Sequence, residues 1–165
     1  MSRSLYCQTP VGWIWLAENE SATAITHLLY VKEPAGAEAS PAAGSADVPP
    51  SPLLRRALEE LQEYFSGMRR VFTLPLEPAG TAFEQTVWSA LRTIPYGETR
   101  SYRQIAQQIG RPAACRAVGR ANGRNPISLF IPCHRVIGAD GRLTGYAGGL
   151  DAKQRLLELE RGGAL

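Results

Sequence analysis

At 165 residues, with a net charge of +3 and 44% hydrophobic residues, the chain suits one medium or two small globular domains that bury roughly 68–70% of the unfolded surface. No apolar run approaches the roughly 20 residues of a membrane helix, and the first residues lack the apolar core of a secretory leader, so neither a membrane nor a secreted protein is expected. Three cysteines (Cys7, Cys115, Cys133) without a CxxC pair speak against a disulfide framework or a zinc site and point to a reducing compartment.

The first third is patterned as strands. Leu5 to Gln8, Trp13 to Ala17 and Ala24 to Val31 are rich in aromatic and β-branched residues, with turn signals at Thr9-Pro10-Val11-Gly12 and Glu18-Asn19-Glu20-Ser21. Residues 33–50 are dominated by Ala, Pro, Gly and Ser, a composition that buries little and predicts a flexible surface loop. A helix follows, with Ser51 as N-cap, Pro52 in the first turn, Leu54, Ala57, Leu58, Leu61 and Phe65 on one face, and Gly67 at its end. Val71 to Leu76 is expected to add a strand. Cys7 and His27 have no partners of metal-binding type nearby in sequence and are assigned to packing.

Pro78-Ala79-Gly80 is the expected domain boundary. Thr81 and Glu84 form a capping box that opens a helix with Phe83, Val87, Ala90, Leu91 and Ile94 on its inner face. Pro95-Tyr96-Gly97 stops it. Two short helices follow, from about Ser101 to Ile109 and from Pro112 onward, with Gly110 breaking between them. This is either an ordinary helical hairpin or a helix-turn-helix. Arg116, Arg120 and Arg124 at i, i+4 and i+8 of the second helix favour a nucleic-acid face.

The charge distribution agrees. Residues 1–78 hold six Lys/Arg against nine Asp/Glu and residues 79–165 hold twelve against six, so the halves carry −3 and +6. Between Thr99 and Ala139 lie seven arginines (Arg100, Arg103, Arg111, Arg116, Arg120, Arg124, Arg135) and no acid. A field of one sign attracts polyanions. The second helix turns alanines inward and carries Gly119 and Gly123, small residues that suit close approach to a minor groove.

Ile131-Pro132-Cys133-His134-Arg135-Val136 is the centre of the chain. Proline stiffens the backbone ahead of the thiol, so a rigid turn leaving a short buried strand (Ser128 to Ile131) is expected. Cys133 is then either a structural core residue or a nucleophile. Val136 to Leu143 is expected to form a hairpin around Asp140-Gly141, a wing beside the helix pair. Residues 145–149 form a glycine-rich loop around Tyr146. The last helix is expected to open with Asp151 as N-cap and to end at Gly162. Glu160 falls on its apolar face beside Leu156. There it either reaches solvent at a fraying end or takes a partner, for which His134 is the candidate.

Taken together, residues 81–165 closely resemble the O6-alkylguanine-DNA alkyltransferases. The resemblance is carried by Ile94-Pro95-Tyr96-Gly97-Glu98-Thr99, the helix pair, Asn125-Pro126, Ile131 to Val136, and Thr144-Gly145-Tyr146. Over residues 1–78 it rests on the order of elements. It implies an α+β protein, with a small mixed cap domain (1–78) before a mostly helical, winged helix-turn-helix domain (79–165) that binds DNA. It implies that Cys133 accepts the alkyl group, with His134 as base through a water, Glu160 orienting His134, and Asn125 bracing the turn. Tyr102 would contact the phosphate backbone and donate a proton as guanine leaves. Val136, Tyr146 and Ala147 would contact the substrate, and Arg116 would fill the gap left by the extruded base. Arg103, Arg111 and Arg120 would meet DNA.

The implied partner is double-stranded DNA containing O6-alkylguanine, met by a cytoplasmic monomer with no metal and no cofactor. Ala147 stands where some relatives have serine, and Asn122 where some have methionine. A His–Glu pair beside Cys133 is expected to raise its thiolate fraction. Two rival classes are a non-catalytic alkylated-DNA-binding module on the same scaffold and a Cys–His hydrolase. Non-reactive relatives replace the cysteine, and hydrolases separate Cys from His in sequence and need an oxyanion hole.

Overall fold

The computed structural model describes residues 3–35, 43–44 and 49–165. Most of the stretch expected to form a flexible loop (33–50) lies outside the described residues. Strands β1 (Ser4–Thr9), β2 (Gly12–Glu18) and β3 (Ile25–Val31), with the short β4 (Ala43–Gly44), form an antiparallel sheet in the order β3-β2-β1-β4. Leu5, Ile14, Leu16 and Leu28 are buried on it. Helix α1 (Pro52–Phe65) contributes Leu54, Ala57, Leu58 and Leu61 to the same core. Ser51 caps it by accepting from the Leu54 N–H, and its hydroxyl also donates to the buried Glu18 carboxylate at 2.6 Å.

Residues 71–76 do not form the expected strand. The Thr73 N–H and hydroxyl donate to the Glu60 carboxylate at 2.7 and 3.0 Å, so the backbone group that would enter a ladder is taken. Pairing is confined to a single parallel bridge between Leu76 and Ile25.

Helix α2 (Ala82–Leu91) opens with the Thr81–Glu84 capping box, and buries Trp88 whose indole donates to the Ala121 carbonyl at 2.8 Å. Helices α3 (Tyr102–Gln108) and α4 (Cys115–Gly123) form the helix pair, α4 beginning three residues after Pro112. Ser101 and Gln104 make a second capping box at α3.

Strand β5 (Arg100–Ser101) pairs in parallel with β6 (Val136–Ile137). This replaces the expected wing. Residues 138–142 do turn, with the Gly138 N–H on the Arg142 carbonyl, but no second strand returns. Val136 is instead claimed by β5 and by the Lys153 ammonium, which bonds its carbonyl at 2.6 Å. Helix α5 (Leu150–Glu160) is capped at Gly149, φ +91°, rather than at Asp151. Asp151 lies in the first turn, where its charge faces the positive end of the helix.

One continuous core runs through both halves. The backbone joins them as well: Leu28 of β3 donates to the Pro126 carbonyl at 2.9 Å and accepts from Ser128 at 3.0 Å. No described helix is long and apolar enough to cross a membrane.

Ser51→Ala removes the α1 cap and leaves buried Glu18 without its hydroxyl donor. Urea unfolding should record a loss of about 1–2 kcal/mol; an unchanged midpoint would contradict this account of the α1 start.

Candidate active site

Residues 125–133 are folded by their own polar groups. The Asn125 side chain accepts from the Ile127 N–H at 2.9 Å and donates to the Ile131 carbonyl at 2.8 Å, while the Ile131 N–H returns to the Ile127 carbonyl at 2.9 Å. Leu129 takes a positive φ of 70° to make this loop. The expected strand from Ser128 to Ile131 is therefore a tight turn, stapled at both ends by one side chain. Pro132 leads from it into a 3-10 turn (Cys133–Arg135).

Cys133 is 4% exposed and lines a cavity of about 360 Å³. Gly119, Asn122 and Gly123 of α4 form one wall, with Tyr102, Tyr146 and Ala147 among the others. Arg116 and Arg120 are exposed on the same helix, and Arg124 is exposed at its C-cap. The thiol is thus turned toward the arginine-bearing element. Burial pushes its pKa up, and hydrogen bonds from Asn125 and Ser128 and the charge of Lys153 offset this only in part. The expected rise in thiolate fraction does not occur; the resting group is a thiol.

His134 is fully buried, and its Nε2 lies 2.6 Å from Glu160 Oε2. Burial lowers its pKa, against the pull of Glu160, so the ring is neutral at pH 7. Burial also opposes ionisation of Glu160, but hydrogen bonds and charge from His134 and Arg135 outweigh it and hold the carboxyl far below the usual range. An ionised carboxylate only accepts, so Nε2 carries the ring hydrogen. Nδ1 is left with its lone pair, buried and without a hydrogen-bond partner among the described residues.

Glu160 takes four further donors: Tyr64 Oη at 2.6 Å, Arg135 Nε at 2.7 Å, Arg135 Nη2 at 3.1 Å and the Gly97 N–H at 3.4 Å. Gly97 has φ +82°, and a Cβ there would meet the Glu160 carbonyl at 3.0 Å, so the position requires glycine.

Of the other residues singled out in the sequence, Tyr102 hydrogen-bonds Thr144 Oγ1 at the cavity. Tyr146 and Ala147 line the cavity, whereas Val136 is fully buried and outside its lining. Arg103 and Arg111 are exposed, the latter over the Phe83 ring. Arg135, counted above in the acid-free basic field, is 7% exposed and neutralised by Glu160. It belongs to the interior. Tyr64 and Lys153 were not anticipated. Lys153 is fully buried and bonds the carbonyls of Val136 and Thr144 at 2.6 and 3.0 Å. Its spacing with Leu156, Leu157 and Glu160 (i, i+3, i+4, i+7) marks the buried face of α5. Nothing in the local sequence marks Tyr64 as a partner of Glu160. Among the described residues, no group of three or more His, Cys, Asp or Glu is placed to hold a metal.

Comparison with known proteins matches both halves of the chain. Residues 82–162 fit the family described as 6-O-methylguanine DNA methyltransferase, DNA binding domain, and residues 1–78 fit its ribonuclease-like domain. The methylated-DNA–protein-cysteine methyltransferase of Methanosarcina barkeri is 51% identical over 154 residues, 93% of each chain. The constitutive Bacillus subtilis protein of that name is 46% identical over 155 residues, covering 93% of this chain and 92% of its own. The crystal structure of Mycobacterium tuberculosis OGT in complex with DNA superposes with a TM-score of 0.81 at 44% identity, covering 99% of this chain and 94% of that one.

His134 and Glu160 both have depressed folded-state pKa values. Below about pH 6.5 the unfolded chain binds a proton that native His134 does not, so stability should fall as pH drops through that value. Glu160 should add a second loss below about pH 4.3. Urea midpoints measured from pH 8 to 3 should show both limbs, and His134→Gln should flatten the upper one; an upper limb unchanged in that variant would refute the assignment.

Proposed function

The chain belongs to the 6-O-methylguanine DNA methyltransferase family, and we propose that Cys133 is the residue with which it carries out direct-reversal DNA repair, taking the alkyl group of O6-alkylguanine onto its own sulfur. The observation that carries this reading is the thiol at the cavity wall, next in sequence to a neutral imidazole whose Nε2–H is held by Glu160, leaving the Nδ1 lone pair open.

The Cys133 sulfur attacks the sp3 carbon attached to guanine O6. The S–C bond forms as the C–O6 bond breaks, and the electron pair stays on guanine. The thiol proton passes through a water to His134 Nδ1, and the resulting imidazolium is stabilised by the Glu160 carboxylate. Tyr102 donates a proton to the departing guanine while its oxygen remains paired with Thr144. The phenolate is reprotonated through water as the His134 imidazolium gives up its proton, so the thiol proton is in effect passed to guanine. A resting thiol suits this sequence, because a sulfur of high pKa is the stronger nucleophile once its proton is removed.

The product is a thioether. Neither Cys7 nor Cys115 lines the cavity, so the protein's own thiols offer no second attack, and each molecule acts once.

In this reading Asn125 braces the turn, and Tyr146 and Ala147 contact the flipped nucleobase. Val136 makes no contact with the base: it lies outside the cavity lining, its carbonyl held by Lys153. Arg116 enters the stack as the base leaves, while Arg103, Arg111 and Arg120 meet phosphates. Residues 1–78 act as a cap domain on a DNA-binding domain spanning 79–165. The protein works as a cytoplasmic monomer and uses neither metal nor cofactor.

Incubation with duplex DNA labelled at the O6-methyl group should place one methyl on the Cys133 peptide and none on Cys7 or Cys115, read by peptide mass; label elsewhere refutes the acceptor assignment. Arg116→Ala should slow reaction with duplex by roughly tenfold or more, a fraction of the few kcal/mol that flipping costs, while sparing reaction with free O6-benzylguanine. Equal losses on both substrates would remove Arg116 from the base-flipping step.

A further inference from the structure

Tyr30 belongs to no motif and stands in β3, yet its hydroxyl lies 2.6 Å from the hydroxyl of Tyr146. The two rings meet edge to face, with centroids 5.3 Å apart. They face different spaces. Tyr146 lines the Cys133 cavity, whereas Tyr30 lines a neighbouring groove of about 330 Å³ with Trp13, Lys32 and Gly148. Ala147 lines both. The partition between cavity and groove is therefore the loop backbone around Ala147 with the Tyr30 ring set behind it.

That ring sits unusually close. A Cβ on Gly148 would meet Tyr30 Cε1 at 2.8 Å, so only glycine admits the contact. Burial raises the pKa of both phenols, which leaves each neutral and able to donate or accept. Their hydrogen bond consequently fixes the direction of the Tyr146 side chain.

We propose that Tyr30 is a specificity-determining positioning residue: by holding Tyr146 and the loop at Gly148, it fixes the cavity wall that limits the size of alkyl group delivered to Cys133. This rests on the reading of Cys133 as the acceptor. Loss of the hydroxyl frees the Tyr146 ring, and loss of the ring opens the cavity toward the groove.

The test compares single-turnover rates on duplexes carrying O6-methylguanine or O6-benzylguanine for the unmodified protein, Tyr30→Phe and Tyr30→Leu. The benzyl-to-methyl rate ratio should rise about threefold to tenfold in Tyr30→Phe, the scale of one hydrogen bond, and at least as much in Tyr30→Leu. A ratio that is unchanged or falls overturns the proposal. Should Tyr30→Leu fail to fold by circular dichroism, Tyr30→Phe decides alone, because it keeps the ring. Absence of label on Cys133 in the unmodified protein would bring down the acceptor assignment and this proposal with it. Label on Cys133 with an unmoved ratio sinks this proposal only.

Discussion

The Glu160 carboxylate is the fixed point of the molecule. A buried carboxylate loses several kcal/mol of hydration and is tolerated only where donors replace the water. Here they come from α1 (Tyr64), the turn after α2 (Gly97) and the 3-10 turn (His134, Arg135). Four stretches of chain, Glu160's own helix included, converge on two oxygen atoms. Charge-assisted hydrogen bonds of this kind are short and directional, so the geometry they impose is stiff. Removing any one donor leaves a charged group short of a partner, a loss felt at every segment attached to it. The same carboxylate sets the tautomer of His134, so structural convergence and proton chemistry are one arrangement.

Around that fixed point the site divides its labour by polarity. Burial outweighs the available partners at both groups: His134 is held neutral in spite of the Glu160 counter-charge, and Cys133 is held protonated in spite of its hydrogen bonds and the charge of Lys153. The thiol therefore rests protonated beside a neutral imidazole, and the proton moves only when reaction at sulfur draws it off. Such a site keeps sulfur from indiscriminate reaction, since thiolate character governs oxidation and alkylation by small electrophiles. For a protein whose acceptor is consumed in use, a guarded sulfur is worth more than a permanently ionised one.

What the sequence disclosed and what it withheld follow sequence separation. The α1 and α2 caps, the helix pair and the Cys133-His134 juxtaposition are local and were legible from spacing alone. Glu160 was legible as an acid on an apolar face, where spacing left solvent and a partner both open; the pairing with His134 was implied by the family resemblance. Tyr64 and Glu160 are 96 residues apart and Tyr30 and Tyr146 are 116 apart, and no periodicity encodes such meetings. The misread segments share another cause. At residues 71–76 and 136–143, side chains of Glu60 and Lys153 take backbone partners that a strand or hairpin would have used. Pattern reading assumes that backbone groups pair with backbone; where buried charged side chains compete, the pattern persists and the element does not.

The N-terminal sheet is then more than a cover. Its edge strand β3 carries unpaired backbone groups, a liability in any open sheet. Leu28 satisfies two of them with Pro126 and Ser128, the stretch that leads into the cysteine turn. Two residues on, and so on the same face by strand alternation, Tyr30 reaches the opposite side of the site at Tyr146. One strand thereby holds the chain before Cys133 by its backbone edge and the chain after it by the Tyr30 side chain. The covering of the edge and the placement of the thiol are achieved by the same hydrogen bonds, so the two halves share one folding requirement despite their opposite charge.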